Sequence, residues 1–158
     1  MAIEIRKMEP ADFEQVMKLL AHWNIAPVAP SPDLPVPERT GVAIDNAYVA
    51  IDGDRVVGVC SYILHSPILA EGASFCVDPA YHCRGIGEKL ILAMRRGMFA
   101  RGIRTVRSEA DRPGTIRWLV ERMGCRVVGT SSKRHVFGSP DVGEWTVLEF
   151  DLALLPIT

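Results

Sequence analysis

Apolar and polar positions alternate from residue 3 to residue 7, the period of a half-buried strand. The period then lengthens. Phe13, Val16, Met17 and Leu20 recur at helical spacing and are expected on one buried face, with Pro10 in the opening turn. Prolines at 27, 30, 32, 35 and 37 follow. Each fixes φ and lacks a backbone donor, so no regular helix runs through them, and the segment reads as an extended loop.

Residues 48–51 read as a strand closed by the turn Asp52-Gly53-Asp54. Residues 55–65 form a longer strand rich in β-branched and aromatic side chains. Ser66-Pro67 breaks it, and 69–77 is the next strand. The connections are too short for crossovers, so these strands form an antiparallel meander. Leu90, Ile91, Met94 and Met98 mark a helix stopped by Gly102. A strand at 105–108 precedes a helix opened by Pro113, with Ile116, Leu119, Val120 and Met123 inward and Gly124 at its end. Strands at 126–130 and 145–152 flank a turn-rich stretch with Gly138-Ser139-Pro140 at its centre. No repeat or linker interrupts this order. The fold class is α/β (α+β), with a mixed sheet in a single domain spanning 1–158.

Composition narrows the function. The 158 residues carry 18 basic and 19 acidic side chains, a net charge of −1. That balance argues against a nucleic-acid backbone as partner, and the 48% hydrophobic content argues against disorder. No apolar run approaches the ~20 residues of a membrane helix, and the first residues lack a secretory apolar region. Cys60, Cys76, Cys83 and Cys125 form no CxxC pair. They are expected as thiols in a reducing, cytoplasmic setting, with no metal site. Trp23, Trp118 and Trp145 are expected as core or rim aromatics. Lys89, Arg95, Arg96 and Arg101 are expected on a solvated helix face.

Chemistry concentrates between Val77 and Leu90. A strand ends, a short loop follows, and a helix begins at Gly85-Ile86-Gly87. Glycines there let a ligand approach the backbone, and free amides at a helix start favour an anion. Arg84 adds a cation suited to phosphate. A Walker A loop fails because Gly87 is followed by Glu88, Lys89 and Leu90. A Rossmann fingerprint fails at Leu90 and because of the meander.

The run Val77-Asp78-Pro79-Ala80-Tyr81-His82-Cys83-Arg84-Gly85-Ile86-Gly87-Glu88-Lys89-Leu90 resembles the acetyl-CoA motif of the GNAT superfamily of N-acetyltransferases. Residues 3–20 resemble that family's opening strand and helix, and 118–128 its last helix and sixth strand. The resemblance implies a mostly antiparallel sheet of about seven strands flanked by about four helices, with a splayed strand pair holding CoA. Its cofactor residues are Phe75, Cys76, Val77, His82, Cys83, Arg84, Gly85, Ile86, Gly87 and Glu88. Backbone groups of Phe75 and Val77 bond the pantetheine arm, and the amides from Cys83 through Glu88 cradle the pyrophosphate. His82 stands where the family usually has Arg or Gln, and Glu88 places a negative charge near the seat.

The implied reaction is direct transfer of acetyl from acetyl-CoA to a primary amine of a small molecule. An ammonium group of pKa ~10.4 must first lose a proton. Glu71, six residues before Val77, matches the family's catalytic glutamate and is the candidate base. Val120 and Pro113 stand where many members have Tyr and Asn, so the acid is open, with Ser108, Tyr81 and His135 as weak substitutes. The acceptor site is expected between residues 27–37 and 131–144, with Glu71, Glu109 and Asp111 drawing the amine. A noncatalytic acyl-CoA-binding module is the alternative. Final strands often pair between GNAT subunits, so residues 145–150 are an expected homodimer edge.

Overall fold

A computed structural model describes residues 2–26, 44–133 and 137–154. The strands are β1 (Glu4–Lys7), β2 (Ala47–Asp52), β3 (Arg55–Leu64), β4 (Leu69–Val77), β5 (Thr105–Ala110), β6 (Arg126–Ser132) and β7 (Glu144–Asp151). The helices are α1 (Phe13–His22), α2 (Ile86–Ala100) and α3 (Pro113–Glu121). The described residues thus hold three α-helices where the resemblance implied a fourth. The proline segment lies outside the described residues.

All seven strands form one sheet in the order β1-β2-β3-β4-β5-β7-β6. Every neighbouring pair is antiparallel except β4 and β5. The parallel pair follows from the crossover through α2, which returns the chain to the same end of the sheet. β7 lies between β5 and β6, so residues 145–150 are interior and cannot supply the expected dimer edge. β6 is the edge instead.

Two apolar clusters cover the two faces. Val16, Leu19 and Leu20 of α1 pack on Val49, Val56, Val59 and Cys76. Leu90, Ile91, Met94 and Met98 of α2, with Leu119 of α3, pack on Val57, Cys60, Ala70, Val106 and Leu148. Phe13 and Val120 were expected inward but are exposed. Each sits one residue, or 100° of helix, off an inward-facing stripe: Asp12-Val16-Leu19 for the first and the half-buried Ile116 with Leu119 and Met123 for the second.

β4 and β5 pair only from Leu69↔Thr105 to Gly72↔Ser108. Beyond that point β4 follows β3 to Val77, while β5 follows β7 to Ala110. A bulge helps to part them. The register shifts between Val59↔Cys76 and Ser61↔Ala73, so Ser74 and Phe75 oppose Cys60 alone, and Ser74 takes φ +51°. An extra residue raises local twist and turns the end of β4 away from β5.

Candidate active site

The split between β4 and β5 ends at a rigid turn. The N–H of Asp78 donates to the Val57 carbonyl at 2.8 Å. Alternation along the strand therefore turns the N–H and C=O of Val77 and Phe75 away from β3, into the split. The Asp78 carboxylate accepts from Ala80 N–H and from the Arg55 guanidinium, both at 2.9 Å. Cys83 and Gly85 then adopt φ +62° and +75°, and α2 begins. Gly85 caps this helix without any side-chain bond, so the amides of Ile86, Gly87 and Glu88 have no acceptor within the helix. No atom lies within 4 Å of where a Gly85 Cβ would stand, which keeps those amides approachable. A Cβ on Gly87 would come 3.2 Å from the Phe75 ring, so glycine there lets α2 close on β4.

The charges of this loop are arranged around that approach. Arg84 is exposed and lies 4.9 Å over the Tyr81 ring. Glu88 is drawn sideways to Arg122 at 3.3 Å, which offsets its charge. Phe75 stacks on Trp118 of α3, with ring centroids 5.8 Å apart. The Val77 carbonyl accepts from Trp23 Nε1 and lies at hydrogen-bond distance from His82 Nε2, each 3.1 Å away. Of the groups expected to hold pantetheine, that carbonyl is thus engaged within the chain. The N–H of Val77 and the backbone of Phe75 are the remaining groups turned into the split. The thiol of Cys76 is buried among α1-side residues and does not line it.

Glu71 stands at the apex, one residue before the strands part. Its register neighbours are Ile63 on β3 and Arg107 on β5. Ala70 packs under α2, so Glu71 projects to the opposite face of the sheet. His65 Nε2 lies 2.9 Å from Glu71 Oε1. Sequence reasoning missed His65. Its signal was the hairpin itself: with Pro67 at the centre, residue 65 falls diagonal to residue 71 on one face.

Other expected residues are placed elsewhere. Asp111 is buried in an ion pair with Lys133 at 2.6 Å, and Lys133 also donates to the carbonyls of Phe137 and Ser139. It cannot draw an amine. The Tyr81 hydroxyl donates a hydrogen bond to the Asp52 carboxylate, which raises its pKa and commits it outside the split. The Ser108 hydroxyl lies against Gly72 where the strands part. Val120 offers no proton, Glu109 is exposed on β5, and His135 lies outside the described residues.

Arg95 does not belong to a solvated face. It is buried, donates to the Met123 carbonyl at 2.7 Å and to Cys125 Sγ at 3.3 Å, and lies 3.6 Å over the Phe150 ring. Burial lowers its pKa. Trp23 has a larger part than a rim aromatic. It stacks on His82 at 5.6 Å and carries Arg112 at 4.7 Å over its ring. Asn24, next in the chain, exchanges bonds with Gly138 at 2.9 and 3.2 Å. The end of α1 therefore links the end of β4, the loop before α2, the start of α3 and the β6–β7 connection. Among the described residues no group of three or more His, Cys, Asp or Glu is placed to hold a metal ion. No helix among them is long and apolar enough to cross a membrane.

Comparison with solved structures gives the same architecture. Ard1 from Thermoplasma volcanium superposes with a TM-score of 0.72 at 17% identity, covering 96% of this chain and 98% of that one. Rv2747 from Mycobacterium tuberculosis, solved in complex with CoA and NLQ, gives 0.68 at 16% identity, covering 94% and 98%. The ribosomal-protein-S18-alanine N-acetyltransferase from Escherichia coli gives 0.70 at 11% identity, covering 99% and 96%. At these identities the likeness is one of fold. No curated protein matches the sequence. The family model described as an acetyltransferase (GNAT) domain matches residues 43–126, just over half of the chain and the part that holds β2 to α3. The chain belongs to the GNAT acetyltransferase family.

Proposed function

We propose that the protein transfers acetyl from acetyl-CoA to the primary amine of a small molecule by direct attack. One juxtaposition carries this reading: the uncapped amides of α2 at the mouth of the β4–β5 split, and the Glu71 carboxylate at its apex. Bound acetyl-CoA supplies the acetyl thioester. The amides from Cys83 through Glu88, with Arg84, offer the donors that a pyrophosphate needs. The N–H of Val77 and the backbone of Phe75 offer bonds to an amide-bearing arm. The CoA held by the Mycobacterium tuberculosis neighbour supports this placement.

Glu71 takes one proton from the acceptor's ammonium group. The neutral amine then forms the C–N bond as the C–S bond breaks, and the nitrogen's second proton passes to the departing thiolate or to water as the amide forms. A thiol pKa of ~8.5 lets the thiolate leave without a protein acid, which suits Val120 and the engaged Tyr81. A second reading, a noncatalytic acyl-CoA-binding module, is favoured by Val120, since α3 offers no hydroxyl there. We further propose a cytoplasmic location, where the four thiols, which form no disulfide, stay reduced, and pairing of two copies along the outer edge of β6.

Isothermal titration tests the binding half. Acetyl-CoA is expected to bind the wild-type chain. G85V, which puts a β-branched residue in a left-handed position at the anion seat, should weaken binding at least tenfold. No heat of binding at millimolar acetyl-CoA would reject both readings.

A further inference from the structure

Four charged residues stand in one row across the sheet. Glu71 on β4 is in register with Arg107 on β5, Arg107 with Glu149 on β7, and Glu149 with Arg126 on β6. Residues in register share a face. Arg107 therefore has a carboxylate on either side, and it is committed to one. Its Nε and Nη2 donate to Glu149 Oε2 at 3.1 and 2.6 Å, while Arg126 donates to the other oxygen at 3.4 Å. Glu71 is paired with His65 instead. Two more carboxylates share this face at diagonal positions, Glu109 on β5 and Asp151 on β7.

We propose that Glu149 is a positioning residue that holds Arg107 away from Glu71 and so preserves Glu71 as a proton acceptor. The proposal rests on the reading of Glu71 as the base. A guanidinium in contact with a carboxylate makes it a weaker proton acceptor by about tenfold or more. An unrestrained Arg107 would have Glu71 as its nearest carboxylate in register. Glu149 is held more firmly than Glu71 because it takes two guanidinium groups and is mostly enclosed, with 15% of its side chain exposed. Both hydrogen bonds from Arg107 to one oxygen also lower the Glu149 pKa, so this carboxylate stays charged through the neutral range. The arrangement separates attraction from interference: Arg107 and Arg126 line the open face, and both guanidinium groups are held on Glu149 and not on the base.

The test is a crystal structure of E149Q together with its kinetics. The Arg107 guanidinium should be found on the Glu71 carboxylate, and kcat for acetyl transfer should fall about tenfold with the KM for acetyl-CoA unchanged. The double variant R107M/E149Q should recover kcat to within about threefold of wild type, a rescue that a merely structural role would not produce. Arg107 found on Glu109, on Asp151 or in solvent in E149Q overturns the proposal, as does a double variant no faster than E149Q. Full activity of E71Q in the same assay would instead overturn the reading of Glu71 as base, and the crystallographic position of Arg107 would still be decided independently.

Discussion

The indole N–H of Trp23 donates to the carbonyl of Val77 at 3.1 Å, tying the end of α1 to the last residue of β4. That bond, with the stacked His82 ring, sets where the loop before α2 leaves the sheet. W23F keeps an aromatic face but removes the donor. It should cost about 1 kcal/mol in urea unfolding, the net worth of one hydrogen bond. W23A also removes the surface on which His82 rests. Its acetyl-CoA affinity should fall several-fold, a larger loss than for W23F, when both are titrated by calorimetry.

Thiol labelling reads the same loop. Cys60, Cys76 and Cys125 are buried and Cys83 is exposed. Burial raises the pKa of Cys60 and Cys125, which leaves both as unreactive thiols. A maleimide should therefore modify one cysteine per folded chain, and mass spectrometry should place it at Cys83. Saturating acetyl-CoA should slow that reaction at least tenfold, and C83S should leave the native chain unlabelled.

Gly97 provides a stability test in which propensity and packing oppose each other. It lies inside α2, where alanine ordinarily gains about 1 kcal/mol over glycine. The Tyr48 hydroxyl occupies the space a Cβ would need, and the ring carbon bearing it lies 3.1 Å from that point. Overpacking costs about 1–3 kcal/mol. G97A should therefore be destabilised in chemical denaturation, and Y48F/G97A should recover part of the loss.

Acid stability should depend on Asp12. Arg6 holds its carboxylate through two bonds at 2.7 and 3.0 Å, and the Glu9 N–H adds a third at 2.8 Å. The Arg6 hydrogen bond is the main cause that lowers its pKa, with burial opposing it. A carboxyl depressed on folding stabilises the chain above its unfolded value near ~3.9, and that contribution fades as pH falls through the folded value. Thermal melts of wild type should lose stability below about pH 4 more steeply than those of D12N, which should be less stable at pH 7. Equal pH dependence in the two chains would contradict the assignment.

Much of this arrangement was legible in the sequence, for identifiable reasons. Helix α2 follows from its apolar spacing, strands β2 to β4 follow from β-branched and aromatic runs punctuated at Gly53 and Pro67, and the loop before α2 follows from its glycines. What escaped depends on contacts between distant segments. Helical spacing alone did not distinguish Phe13 from Leu19, because the inward stripe is set by the Arg6–Asp12 pair and the face of β3. Arg95 reads as a surface cation until Met123, Cys125 and Phe150 close around it. Asp111 reads as an open carboxylate until the β6–β7 connection brings Lys133 to it. The Glu71–Arg107–Glu149 row requires the strand order, which periodicity along one strand does not contain.

Acetyl transfer with Glu71 as base is tested by measuring release of the CoA thiol from acetyl-CoA over a panel of small primary amines, with wild type and E71Q in parallel. Wild type should release thiol in an amine-dependent way, and E71Q should lose about 100-fold or more in kcat with acetyl-CoA binding retained. Acetyl-CoA binding without turnover on any amine, or E71Q turning over as fast as wild type, would contradict it.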